Sequence, residues 1–180
     1  MRTGVRESAR FAEMYDRNFG RIFNYVLRRM GNVSLAEDIA ADVFYKALKH
    51  AKRLIKPGND PLPWLYTVAS NEVNSFLRKR RARAVDPAVM GEAEGTPAPP
   101  DQEALRAEEE LEKEKQFAEV REKMLSLSEE DQTLISLKFF EDLSYAEMSK
   151  IMGRREGTLR VRLHRAVQAL KKEMEGEEDG

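Results

Sequence analysis

The chain has 180 residues, of which 41% are hydrophobic and 35% charged, with no cysteine and a formal net charge of −1. That composition suits a helix-rich globular protein of one or two small domains, and it excludes disulfides, thiol catalysis and thiolate zinc fingers. No apolar run approaches a membrane span and MRTGVRESARFAEMYDRNFG lacks the apolar centre of a signal peptide, so no membrane insertion and a cytoplasmic location are expected.

In chain order, Phe11, Met14, Tyr15, Phe19, Ile22, Phe23, Val26 and Leu27 recur at helical spacing, predicting a helix from about Glu7 to Met30 that stops at Gly31. Ser34 with Glu37 reads as a capping box opening a second helix through Ile39, Val43, Phe44, Ala47 and Leu48. The stretch KRLIKPGNDPLPW, with three prolines and a glycine, reads as a loop. Proline is tolerated in a first helical turn, so a third helix is predicted from near Pro63 to about Arg83, ending in the cationic run RKRRAR.

From Val85 the segment VDPAVMGEAEGTPAPPDQEA reads as a flexible linker, and ALRAEEELEKEKQFAEV as a helix. Ser128, with Asp131 three residues on, opens a further helix, and Phe117, Val120, Met124, Leu127, Leu134, Ile135, Leu137 and Phe139 are its candidate core. Ser144 and Glu147 form another capping box; Tyr145, Met148, Ile151 and Met152 give the helix that follows one apolar face. Gly153 supplies a corner, and Leu159, Leu163, Ala166, Val167 and Leu170 line one side of a basic last helix. A short helix, a glycine turn and a basic second helix is the pattern of a helix-turn-helix. With no sustained strand alternation, the fold class is all-α: two small helical domains, residues 1–84 and 113–180, joined by an acidic linker over 85–112.

The near-zero net charge conceals a segregation. Residues 1–85 hold 17 Lys and Arg against 8 Asp and Glu, residues 86–131 hold 5 against 15, and residues 147–172 hold 8 against 2. Two basic segments flanking an acidic one are the electrostatic footprint expected of a nucleic-acid binder. PWLYTVASNEVNSFLRKRRARA interleaves aromatic, amide and basic side chains. In such sets aromatics stack unpaired bases, amides bond base edges and cations follow phosphates. The bland alternative places Trp64 and Tyr66 in the core.

Asp38 and Asp42, four residues apart, present two carboxylates on one helix face. No histidine or phosphate loop accompanies them, so they read as a solvated face or a protein-docking patch rather than as a metal or acid–base pair. His50 and His164 lie far apart, without a metal-ligand partner. Neither catalytic residues, metal ligands nor a cofactor is expected, and the chain does not read as an enzyme.

YDRNFGRIFNYV, AEDIAADVFYKAL and PLPWLYTVASNEVNSFLRKRR resemble region 2 of bacterial sigma factors of the extracytoplasmic-function group. LSEEDQTLISLKFFEDLSYAEMSKIMGRREGTLRVRLHRAVQALK is similar to their region 4. The resemblance spans nearly the whole chain outside the linker. It implies a transcription-initiation factor with core RNA polymerase, through its largest and second-largest subunits, and promoter DNA as partners. It also implies an anti-sigma factor as regulator.

By matching position, Asp38, Asp42 and Phe44 would contact the polymerase. Lys56, Asn59, Trp64, Asn71, Asn74 and Arg78, with the loop Leu54 to Pro63, would hold the melted -10 strand. Arg154, Arg155, Thr158, Arg160 and Arg162 would lie on the -35 duplex. Ala41 stands where the family often has glutamine, Ser128 where proline is usual, and Val161 where a small polar residue is commoner. The rival reading, an ordinary helix-turn-helix regulator with a helical N-terminal domain, explains Ser144–Leu170 but not the aromatic, amide and basic helix ending at Arg83.

Overall fold

Apolar side chains spaced for helices on nearly every segment leave little else for the chain to form, and helices are what it forms. The computed structural model describes residues 2–84 and 116–175. The elements are α1 (Arg2–Met30), α2 (Val33–Lys49), the single turn α3 (Ala51–Leu54) and α4 (Leu62–Ala84). After them come α5 (116–124), α6 (Glu129–Ile135), a π-helical turn (Ser136–Phe140), α7 (Tyr145–Met152) and α8 (Glu156–Glu175). No strand occurs among the described residues. The acidic linker expected over 85–112, with the start of the helix drawn from Ala104, lies outside them.

α1, α2 and α4 pack on one another around Ile22, Tyr25, Val26, Ala36, Val43, Leu65, Ala69 and Val73. Inside this core the Tyr25 hydroxyl and the Ser70 hydroxyl are hydrogen-bonded at 2.8 Å, which satisfies both polar groups. In the C-terminal half, Leu134, Leu137, Met148, Leu159 and Leu163 are buried where α6, α7 and α8 meet. α7 rests on α4 and the π-turn on α1, so the buried side chains of the two halves form one continuous cluster.

Local chemistry sets the ends. α1 stops at Gly31, whose φ of 66° is strained for any side chain, and a Cβ there would sit 2.6 Å from the Arg121 guanidinium. The Asp60 carboxylate accepts from the Leu62 N–H at 3.0 Å in the turn that leads into α4. The Ser144–Glu147 capping box forms as the sequence suggests, with the Ser144 N–H donating to the Glu147 carboxylate at 2.8 Å. Gly153 takes the left-handed conformation at the corner, φ 64°.

Several expectations need correction. α1 starts at Arg2 rather than near Glu7. The cap of α2 is Asn32, not Ser34: its backbone is extended and its Oδ1 accepts from the Leu35 N–H at 2.9 Å, so Ser34 falls inside the first turn. The segment read wholly as loop holds the helical turn α3, anchored by the buried Leu54. Phe139, expected in the core, is 59% exposed, and Phe117 is also exposed. The widened turn over Ser136–Phe140 shifts the inward face, and Phe140 packs against the core instead.

Candidate nucleic-acid interface

On α2, Asp38 and Asp42 are both exposed on the face that also carries Ala41 and Tyr45. Phe44 does not share that surface. It is 4% exposed, with ring centroids 4.8 Å from Tyr15 and 5.8 Å from Phe19. The aromatic cluster fixes the rotation of α2, so Phe44 supports the acidic face from behind. Its outward neighbour Tyr45, 59% exposed with the Lys49 ammonium 4.2 Å from its ring centroid, is the aromatic the surface presents.

The loop before α4 closes a cleft of about 510 Å³ against α1, lined by Arg10, Arg17 and Asn18 on the helix and Lys56, Asn59 and Asp60 on the loop. Asn59 holds the loop by donating its amide to the Leu54 carbonyl at 2.9 Å. Trp64 is half-buried and stands apart from this cleft, edge-on to His50 at 5.4 Å with the Arg53 guanidinium 6.0 Å from its ring centroid. The question of Trp64 as core or surface thus has a mixed answer, whereas Tyr66 is fully buried.

Along α4, Thr67, Ser70, Asn71, Asn74 and Arg78 follow the i, i+3, i+4, i+7 spacing of one helix face. That face looks at the C-terminal half. Thr67, Ser70, Asn71 and Asn74 line a cleft of about 310 Å³ opposite Glu129, Glu130, Thr133, Ile151, Met152 and Arg154. The Thr67 hydroxyl is within hydrogen-bond distance of the Pro63 and Ile151 carbonyls, 2.9 Å each. Asn71 is exposed, but Asn74 is half-buried, accepting from Arg29 Nη2 at 3.0 Å and donating to Thr133 Oγ1 at 3.3 Å. Arg78 pairs with Glu129 at 3.2 Å.

Sequence reasoning missed the group that organises this contact. Arg29 is a buried cation, 6% exposed, whose neighbours are neutral oxygens: Asn74 Oδ1 at 3.0 Å, Gln132 Oε1 at 3.2 Å, Tyr25 Oη at 3.4 Å and Thr133 Oγ1 at 3.5 Å. The available signal was an arginine in register with Ile22, Tyr25 and Val26 on the apolar side of α1. Nearby, the Tyr66 hydroxyl donates to Glu141, and burial first, then that carboxylate, raises the phenol above its ordinary value. Burial also raises the Glu141 carboxyl. Arg28 stands 3.5 Å from Glu141 Oε1, close enough for charge attraction, yet that oxygen has no hydrogen bond.

Arg155, just before α8, and Thr158, Arg160 and Val161 on it are exposed. The Arg160 guanidinium lies 5.0 Å from the ring centroid of Tyr145, which props it from α7. Arg154 and Arg162 are paired with α6 instead, Arg154 at the surface and Arg162 half-buried. Arg154 pairs with Glu130 at 3.1 Å, and Arg162 donates to Asp131 at 2.6 Å, to Glu130 and to Ser128 Oγ at 3.1 Å. The Asp131 hydrogen bond holds the Arg162 pKa above its usual value. A paired fork across α6 and α8 braces the helix-turn-helix, while the outward cations remain for a polyanion.

The chain therefore carries a helix-turn-helix with an outward basic helix and, 60 residues or more upstream, a separate helix of amides and arginines. Residues 14–83 match the family Sigma-70 region 2, and residues 117–170 match Sigma-70, region 4. The chain belongs to the extracytoplasmic-function sigma factors. It is 28% identical over 165 residues to the ECF RNA polymerase sigma factor BldN of Streptomyces coelicolor, covering 91% of this chain and 60% of BldN. It is 28% identical over 169 residues to ECF sigma factor SigL of Mycobacterium tuberculosis, covering 92% and 89% respectively. With RNA polymerase sigma factor YlaC of Bacillus subtilis the identity is 29% over 164 residues and 90% of each chain. The fold is similar to that of the sigma factor RpoE from Bartonella quintana, solved with the anti-sigma factor NepR, at a TM-score of 0.62, 22% identity and coverage of 92% and 96%. As a sigma factor the chain directs RNA polymerase to promoters, and sigma factors are not themselves enzymes.

Proposed function

We propose that residues 1–84 dock on core RNA polymerase and hold the melted -10 strand, while residues 113–180 read the -35 duplex. The observation that carries this reading is the presence of two chemically different nucleic-acid faces on one chain. α8 offers exposed arginines on a helix of groove-filling shape, suited to duplex edges. The α1–loop cleft and α4 offer amides, cations and a half-buried tryptophan, suited to unpaired bases.

Asp38 and Asp42, with Tyr45 at the C-terminal end of the same face, form the polymerase-docking surface. Lys56 and Asn59 sit in the loop cleft. Trp64, Asn71, Asn74 and Arg78 continue the strand path along α4, and Arg155, Thr158 and Arg160 serve the duplex, with Arg154 and Arg162 bracing their helix against α6. No residue acts as a catalyst and no cofactor takes part. Partnership with polymerase places the chain in the cytoplasm, and among the described residues no helix is long and apolar enough to cross a membrane. An anti-sigma factor regulates it by covering these same faces, a reading supported by the likeness to RpoE.

The deciding experiment is reconstituted transcription. Purified chain plus core polymerase initiates at defined start sites and makes -10 thymines reactive to a single-strand-specific oxidant. Binding to DNA without core-dependent opening, on every promoter tried from the native genome, refutes the reading.

A further inference from the structure

Among the cations of the last helix stands an uncovered apolar side chain. Val161, 54% exposed, lies in a cleft of about 670 Å³ lined on α8 by Gly157, Thr158, Arg162 and Arg165 and on α6 by Asp131. We propose that Val161 sets sequence specificity: its methyl groups pack against the 5-methyl of a thymine on the major-groove edge of the -35 duplex. That role rests on the duplex-reading assignment of residues 113–180 given above.

Scattered exposed apolar side chains are ordinary, and on a basic helix the stems of neighbouring arginines can cover them. Here those neighbours are held elsewhere. The Arg160 guanidinium stands 5.0 Å from the Tyr145 ring centroid on α7. Arg162 donates to Asp131 at 2.6 Å and to Ser128 Oγ at 3.1 Å, at the start of α6. The two long side chains that adjoin Val161 in sequence are thus tied to other elements, which leaves the valine open. Gly157, one helical turn earlier, carries no side chain, and a Cβ there would meet nothing within 4 Å. A flat base edge can therefore come down on this part of the helix.

Chemistry limits what such an edge can be. Arg160 and Arg165 are both exposed beside the valine and draw a polyanion to this surface. The major-groove edges of a duplex present hydrogen-bond donors and acceptors, and the apolar group they offer is the thymine 5-methyl. Valine is stiff at χ1 within a helix, so its methyls are held in place before binding and lose little freedom on contact. Thr158, exposed three residues earlier, continues the same face. The valine also discriminates against cytosine, whose N4 amino donor would be stripped of water against methyl groups and left unpaired.

Uracil differs from thymine by that methyl alone, which makes the test direct. Holoenzyme reconstituted from the full chain and core polymerase is titrated with a duplex spanning a promoter mapped by its own start site. Each -35 thymine is replaced in turn by uracil. At one thymine the replacement is expected to weaken binding about fourfold, the contribution of one buried methyl. The penalty is the same at three salt concentrations, because an apolar contact releases no counterion. Val161→Ile keeps the penalty, whereas Val161→Ser binds the thymine and uracil duplexes alike. With cytosine at that position, 5-methylation of the cytosine strengthens binding by the parent and not by Val161→Ser. The side chain is exposed, so both variants keep the thermal melt of the parent. Promoters at which no uracil weakens binding, or a penalty that Val161→Ser leaves intact, overturn the proposal while the sigma reading stands. Failure of the parent holoenzyme to initiate on every promoter overturns that reading, and the role of Val161 with it.

Discussion

Arg29 Nη2 and Asn74 Oδ1 lie 3.0 Å apart, joining α1 to α4 across 45 positions of sequence. The pair makes Asn74 a structural residue as well as a candidate for holding a base. Asn71, one helical turn earlier and exposed, has no such burden. The two amides therefore separate under mutation. Asn71→Ala is expected to reduce -10 opening by holoenzyme while leaving thermal stability unchanged. Asn74→Ala reduces opening and also lowers stability by about 1–3 kcal/mol, because a buried donor loses an acceptor. Denaturant melts beside permanganate footprints measure both. Equal stability of the two variants contradicts the role given to the pair.

The acidic face of α2 yields a second prediction. Asp38→Lys combined with Asp42→Lys is expected to weaken assembly with core polymerase about tenfold or more, by placing like charge against a basic partner. Both side chains are exposed, so the melting temperature of the free chain stays within error. Tyr45→Ala weakens assembly as well, through the exposed aromatic. Phe44→Ala instead destabilises the chain by about 3–5 kcal/mol, as removal of a core aromatic does.

How much of this was legible beforehand follows from which forces act locally. The helices of both halves, the Ser144–Glu147 box and the Gly153 corner could be read because periodicity, capping and backbone freedom are properties of neighbouring residues. Asn32 was missed because only Ser34, two residues on, was read as the cap, and backbone conformation decides between two such residues. Phe139 was misplaced because one π-turn shifts every residue after it, and no spacing rule announces such a turn. Arg29, Gln132 and Glu141 escaped notice because their meaning comes from the docking of the two halves. The same holds for Arg154 and Arg162, whose charge was plain but whose pairing with α6 was not.

Two glutamates give the acid limb of stability opposite slopes. Hydrogen bonds from Ser144 hold Glu147 below the ordinary carboxylate value of 4.5. A lowered folded value means stability that is present above the unfolded value and lost as pH falls through the folded one. Burial raises Glu141 above 4.5. A raised folded value means stability that is full below the unfolded value and lost as pH rises through the folded one. In urea titrations from pH 3 to 7, the parent therefore gains stability relative to Glu141→Gln as pH falls toward 4.5. Relative to Glu147→Gln it loses stability as pH falls below 4.5. Parallel curves for Glu141→Gln and the parent contradict the burial of that carboxylate.

The last prediction concerns how the duplex is read. Arg155, immediately before the last helix, and Arg160 on it are both exposed, and the Arg160 guanidinium is propped 5.0 Å from the Tyr145 ring centroid. A guanidinium held flat by an aromatic loses less freedom on forming a forked contact, so Arg160 is the one placed to read a guanine edge. Arg160→Ala is then expected to cost about 1–3 kcal/mol on the preferred -35 duplex and to relax preference at one base pair. Arg160→Lys keeps the charge and still loses that preference, because an ammonium cannot form the fork. Tyr145→Leu, which removes the prop and keeps an apolar side chain on α7, reproduces part of the loss. Arg155→Ala weakens all duplexes alike and lowers the slope of affinity against salt by about one ion, as a phosphate contact does. Fluorescence anisotropy of holoenzyme on a set of -35 variants at three salt concentrations distinguishes the two. If Arg160→Lys retains full base preference, the contact is to phosphate and the specificity of this helix resides elsewhere on its outward face.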